Sequence, residues 1–143
     1  MNKRLMFTFA AVLFGASAFS QADTTIPNDG LNKYCQDENQ TMDEIYENGA
    51  LTKCYFMGST LSEAYKHYRS GLTEDGPLFL AEKLVIKKNM AMPCPVEGCI
   101  AINYRWDGDK KLNIVQEFEG GEIHLQFTQE NKGTVLEITQ HMD

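Results

Sequence analysis

From Cys99 to Gln140 apolar residues recur at every second position, and this alternation restricts the possible folds more than any other feature of the chain. Ile100, Ile102, Tyr104 and Trp106 would share one face of an extended segment. Asp107-Gly108-Asp109 then reads as a turn, after which Leu112, Ile114 and Phe118 resume the row with Gln116 interrupting it. Gly120-Gly121 suits a two-residue hairpin loop, because glycine reaches the positive φ of primed turns. Ile123, Leu125 and Phe127 carry a third strand. Beyond the turn Glu130-Asn131-Lys132-Gly133, Leu136 and Ile138 carry a fourth.

Register follows from the turns, since a slip of one residue would invert every side chain. Pairing Glu119 with Glu122 sets Phe118 opposite Ile123, Ile114 opposite Phe127 and Glu117 opposite His124. Pairing Gln129 with Thr134 sets Phe127 opposite Leu136 and Leu125 opposite Ile138. An odd number of residues in the first turn keeps the same face inward. The other face carries Asn103, Arg105, Asn113, Glu117, Glu119, Glu122, His124, Gln126, Thr128, Glu137 and Thr139, so one side meets water.

The apolar side needs a cover, and the middle of the chain must supply it. Thr41 with Glu44 three residues on forms a capping box for a short helix ending at Asn48-Gly49. Leu51, Cys54, Tyr55, Gly58, Leu61, Tyr65 and Tyr68 recur at helical spacing, which predicts a main helix over about 51–70. A glycine inside it, Gly58, implies close approach to a neighbour. Leu78 to Lys88 reads as a second helix with Leu80, Leu84 and Val85 inward, and Met90 to Pro95 as a linker. The expected fold is α+β: two or three N-terminal helices packed on one face of a four-stranded antiparallel meander.

Lys3 and Arg4 precede an apolar run from Leu5 to Phe14 and then small residues. Ser20-Gln21-Ala22 suits signal peptidase, with Ala16-Ser17-Ala18 as an alternative, so residues 1–22 read as a cleaved signal of bacterial style. Residues 23–143 would form a single mature domain, periplasmic or secreted. Loss of Lys3 and Arg4 would take the net charge from −7 to −9. Such acidity disfavours nucleic acids and anionic membranes; its plainest use is to keep an exported protein soluble, and it leaves room for a basic protein partner.

Four cysteines remain, Cys35, Cys54, Cys94 and Cys99. An even count in an exported chain implies two disulfides, and the local pairs Cys35–Cys54 and Cys94–Cys99 are expected. The four-residue gap between Cys94 and Cys99, with Pro93 and Pro95 around the first, favours a staple over a redox couple. No nucleophile elbow, phosphate loop or HExxH motif occurs. Asp107 and Asp109 lack the downstream glutamate of a calcium loop. His67, His124 and His141 have no third ligand or nucleophile beside them in sequence, so His124 and Glu117 read as a polar cross-strand pair. No catalysis, cofactor or metal is expected.

Leu31-Asn32-Lys33-Tyr34-Cys35, followed by Leu51-Thr52-Lys53-Cys54-Tyr55-Phe56-Met57-Gly58, resembles periplasmic immunity proteins that neutralise amidase toxins of type VI secretion. The resemblance covers residues 31–58 and implies a largely helical fold and a peptidoglycan-amidase partner. Together these readings lead to an exported, non-catalytic inhibitor or immunity protein that blocks a basic envelope-acting enzyme. Its expected surface is Glu117, Glu119, Glu122 and His124 plus the Asp107–Asp109 turn. Two other readings are an envelope accessory protein pairing through its sheet edge, and a small-ligand pocket between helix and sheet.

Overall fold

The computed structural model describes residues 30–143. The signal-peptide reading of residues 1–22 therefore lies outside the described residues. One antiparallel sheet of seven strands dominates: β1 (Cys35–Asp37), β2 (Ala50–Met57), β3 (Met90–Met92), β4 (Cys99–Asp107), β5 (Lys111–Phe118), β6 (Gly121–Glu130) and β7 (Gly133–Met142), in the order β1-β2-β7-β6-β5-β4-β3. Among the described residues two helices accompany it, α1 (Met42–Asn48) and α2 (Leu61–Gly71), with one 3₁₀ turn at Gly76–Phe79. Among the described residues no helix is long and apolar enough to cross a membrane.

This corrects the expected four-stranded meander under two or three helices. The meander exists as β4 to β7, but three further strands extend it on both sides. The predicted helix over 51–70 is two elements. Residues 50–57 pair along their whole length with β7, from Ala50↔Gln140 to Met57↔Gly133, and bury Cys54 and Phe56 while Tyr55 and Met57 face out. Gly58 is not a mid-helix glycine under a close neighbour. It turns the chain with φ +72° in open space, and its N–H bonds to the Lys132 carbonyl. The helix begins only at Thr60, whose hydroxyl and Glu63 form a capping box.

The second predicted helix is also corrected: only its first residues form the 3₁₀ turn, and Val85 is exposed. The segment after that turn is instead fixed by side chains, because Tyr65 donates to the Ala81 carbonyl (2.7 Å) and the Ala81 N–H donates to the Tyr104 hydroxyl (2.8 Å). Met90–Met92 is not a linker but an edge strand on β4.

The covered face includes four cross-strand rows: Phe56–Thr134–Gln129, Cys54–Leu136–Phe127–Leu112–Trp106, Thr52–Ile138–Leu125–Ile114–Tyr104 and Gln140–Ile123–Gln116–Ile102. α2 lies over β6 and β7 and buries Leu61, Ala64, Tyr65 and Tyr68 against them. Gln116, the polar interruption, is buried and donates to the Phe79 carbonyl at 2.9 Å. Ile100 does not join the row. The pairing shifts between Cys99 and Ala101, which leaves Ile100 exposed.

The β6–β7 register is as expected, with Gln129 opposite Thr134 and Phe127 opposite Leu136. The β4–β5 turn holds three residues between Asp107 and Lys111, an odd number. The β5–β6 register is two residues off: Glu117 pairs with Glu122, Ile114 with Leu125, and His124 with Val115 rather than Glu117. An even slip keeps every side chain on its own face. The loop is Glu119-Gly120, and Gly121 belongs to the strand at φ +137°, where a Cβ would strike the His141 carbonyl.

Tyr65 and Tyr104 share a hydrogen bond (2.8 Å) in the core, and Tyr68 is buried beside them. Burial raises all three phenol pKa values, Tyr68 to about 12, and the Tyr104 bond raises Tyr65 further. Because these folded-state values lie above the unfolded value of 10.0, stability is complete below pH 10.0 and is lost as pH rises through the folded values. Urea midpoints should hold to about pH 9 and fall steeply from about pH 10 to 12, as followed by circular dichroism. A midpoint unchanged across that window would contradict the buried, protonated cluster.

Candidate protein-binding surface

Antiparallel connections sort the loops of this sheet onto two ends. β7 runs toward the β5–β6 turn, since Met142 pairs with Gly121. β2 starts at that end, since Ala50 pairs with Gln140, so α1 lies there too. β4 also starts there, with Cys99 opposite Phe118, which places the Cys94–Cys99 loop at the same end. The Glu119 N–H donates to the Gly98 carbonyl (3.0 Å) and ties that loop to the hairpin.

Four segments therefore lie at this end, spread over the five neighbouring strands from β2 to β4: residues 41–49, 94–101, 117–124 and 139–143. Together they carry Asp43, Glu44, Glu47, Glu97, Glu117, Glu119, Glu122 and Asp143. None of the four contains a lysine or arginine. The nearest lysine on β2, Lys53, is engaged by Glu38 (3.3 Å) and Glu137 (4.0 Å), and its hydrogen bond to Glu38 raises its pKa. Among the described residues this end of the sheet therefore carries an excess of negative charge.

On the sheet face left open by α2, His141, Glu122, Glu117 and Ala101 form one cross-strand row at this end. Glu117 directly faces Glu122, an arrangement that costs stability in a sheet. Glu122 meets His124 at 2.7 Å, and the His124 and His141 rings lie 5.3 Å apart, edge to face. Among the described residues no three His, Cys, Asp or Glu side chains are grouped so as to hold a metal ion.

Of the residues singled out by sequence, Glu117, Glu119, Glu122 and His124 are brought together. Asp107 and Asp109 are not. They sit at the other end of β5, about 24 Å away for an eight-residue strand, beside Lys110 and Lys111. No family model, curated protein or solved structure matches this chain.

Sequence reasoning missed the contributions of α1, Glu97 and Asp143, because only the topology of the sheet carries them to Glu117. It also missed His141 as a neighbour of His124. Both cysteine pairs, in contrast, are as expected: Cys35–Cys54 and Cys94–Cys99 are disulfides. Cys35–Cys54 links two paired strands rather than a segment to a helix.

Neither alternative use of the fold finds much support in the geometry. The edge strands β1 and β3 are three residues long, and the flanking backbone is already occupied: the Tyr55 N–H donates to the Tyr34 carbonyl and the Trp106 N–H to the Asn89 side chain. Short, blocked edges discourage strand addition. The space between α2 and the sheet is filled by Tyr65, Tyr68 and Phe127. Two depressions remain, of about 160 Å³ on the open face by His124 and about 260 Å³ between the start of α2 and the sheet at Trp106 and Gln129. Both are smaller than ordinary small-molecule sites.

Proposed function

We propose that this is an exported, non-catalytic binding protein that docks a basic protein on the acidic end of its sheet. The favoured partner is a basic envelope-acting enzyme such as a muramidase or amidase, which the bound protein inhibits. One observation carries the reading: eight carboxylates, on four separate segments that contain no lysine or arginine, lie at the same end of the sheet. Nothing in folding requires this, since charge of one sign gathered at one end repels itself. The facing Glu117 and Glu122 are a local instance of that cost. Two disulfides are compatible with an oxidising, exported location, the periplasm or the cell exterior.

Hen egg-white lysozyme, a basic muramidase, is a suitable probe. Titration into isotope-labelled protein at low salt should perturb amides in residues 41–49, 94–101, 117–124 and 139–143. Affinity should fall about tenfold or more between 50 and 300 mM salt, as screening shortens the reach of the field. Glu117→Lys combined with Glu119→Lys should weaken association about tenfold at low salt without loss of fold, since both side chains are at least partly exposed and Glu117 faces a like charge. Salt-insensitive association, perturbation confined to the α2 side, or no association at all would overturn the proposal.

A further inference from the structure

α1 is a helix with no buried residue. Helices this short are marginal in water and normally persist by burying an apolar face. This one persists through polar local devices. The Thr41 N–H donates to Glu44 (2.8 Å) and the Glu44 N–H donates to the Thr41 hydroxyl (3.2 Å). Gln40 bridges the loop, donating to the Gly49 carbonyl (2.9 Å) and accepting from the Leu51 N–H (2.7 Å).

The C-terminal end of the helix is seated on β7. Gly49 is buried at φ +83°, and a Cβ there would strike the Gln140 carbonyl oxygen, Thr139 and His141. The Gly49 N–H closes the last turn on the Ile45 carbonyl (2.8 Å). The disulfide Cys35–Cys54 holds the strands on either side of the loop together.

What these devices hold in place is an apolar pair in water. Met42 is 78% exposed and Tyr46 94%. At a spacing of four residues they share one side of the helix, flanked by Asp43 and Glu47, while Glu44 is turned to its cap at Thr41. A preformed helix that offers a tyrosine and a methionine with two carboxylates along one flank has the anatomy of an interface anchor: apolar centre, charged neighbours, little entropy left to lose.

We infer that α1 is the docking element of the acidic end, with Tyr46 and Met42 seated in an apolar pocket of the basic partner rimmed by lysine or arginine. This rests on the function proposed above and names the residues that make its contact. Charge complementarity selects the occupant. Asp43 and Glu47 would meet cations beside the anchor, and a partner arginine or lysine can stack on the Tyr46 ring. The sheet-face carboxylates around Glu117 then steer the approach while α1 provides the grip.

The test uses lysozyme as the probe and isothermal calorimetry at low and moderate salt. Tyr46→Ala should weaken association about tenfold or more while leaving its salt dependence intact, since it removes an anchor rather than a charge. Glu117→Lys with Glu119→Lys should weaken association and also flatten the salt dependence. If Tyr46→Ala binds within about twofold of the parent while the charge reversal still weakens binding, the inference about α1 falls and the acidic-end reading stands. If neither variant differs from the parent, or the parent does not bind, both fall. Concentration-dependent self-association abolished by Tyr46→Ala would place a second copy on α1 and overturn the inference. Circular dichroism should show Tyr46→Ala folded like the parent, because the side chain lies almost wholly in water.

Discussion

Phe127→Ala is expected to destabilise the protein by about 3–5 kcal/mol, the cost of deleting a fully buried aromatic ring without collapse of the space it leaves. Phe127 is 0% exposed and sits at the centre of the covered row between Leu136 and Leu112. Tyr65 and Tyr68 of α2 pack on it with ring centroids at 5.7 and 6.1 Å. Neither neighbour is free to follow the missing ring inward. Tyr65 is anchored through its hydroxyl to the Ala81 carbonyl and to Tyr104, and the backbone of β6 is paired on both sides. The vacancy would therefore persist, with the loss of contact energy that an unfilled space brings. Phe118→Ala is the comparison: Phe118 is only half-buried at the end of β5, packed edge to face on Phe79, so its truncation should cost clearly less. Urea midpoints of the two variants against the parent settle the order. Equal losses, or a loss below about 1 kcal/mol for Phe127→Ala, would mean that α2 is not locked onto the sheet as described.

The contrast between Phe127 and residues 51–57 shows what a sequence can reveal of such a fold. Phe127 lies in a strand whose neighbours on both sides are its sequence neighbours, so alternation and two turns suffice to place it. β2 is different, because its partner β7 lies some eighty residues further along. Residues 51–61 satisfy a helical stripe through Leu51, Cys54, Tyr55 and Leu61, and equally a strand with Cys54 and Phe56 inward. Short apolar runs are ambiguous in this way. Pairing with β7 decides the matter, and no local pattern announces it. A local signal did mark the boundary: Thr60 and Glu63 have capping-box spacing, which would have ended any helix from Leu51.

The β5–β6 hairpin teaches a related lesson. Two adjacent glycines permit two registers that differ by two residues and leave the same faces buried, so burial cannot choose between them. The choice is made by Gly121, whose missing side chain lets the His141 backbone approach. For the acidic end, Glu117, Glu119 and Glu122 were legible as a polar face of one hairpin. Asp43, Glu44 and Glu47 come from α1 and Glu97 from the Cys94–Cys99 loop, all remote in sequence, and only the seven-stranded order brings them to the same end. The edge strands β1 and β3, at three residues each, are too short to show any period.

Removing the Cys35–Cys54 disulfide is expected to cost about 3 kcal/mol, against about 2 kcal/mol for Cys94–Cys99, since the constraint on the unfolded chain grows with the length of loop closed. The separations are 19 and 5 residues. The larger loss should also have a local signature. β1 contributes only three paired residues, and without the bridge its hold on β2 rests on those pairings, the flanking Tyr55–Tyr34 and Glu38–Leu51 backbone bonds, the Thr52–Asp37 hydrogen bond (2.6 Å) and the nearby Lys53–Glu38 ion pair. In Cys35→Ala/Cys54→Ala, amide hydrogen exchange should speed up through residues 35–48, as β1 and α1 open together at far lower cost than global unfolding. The amides of β5 and β6 should keep the protection set by the remaining global stability. Cys94→Ala/Cys99→Ala should leave the exchange of α1 unchanged. Because α1 would then have to be re-ordered on contact, the first double variant should also lose affinity for a basic partner beyond what its fold stability explains, whereas the second should lose little through α1. Similar exchange in residues 35–48 for both variants would show that the polar bonds of Thr41, Glu44 and Gln40 hold α1 without help from the bridge between β1 and β2.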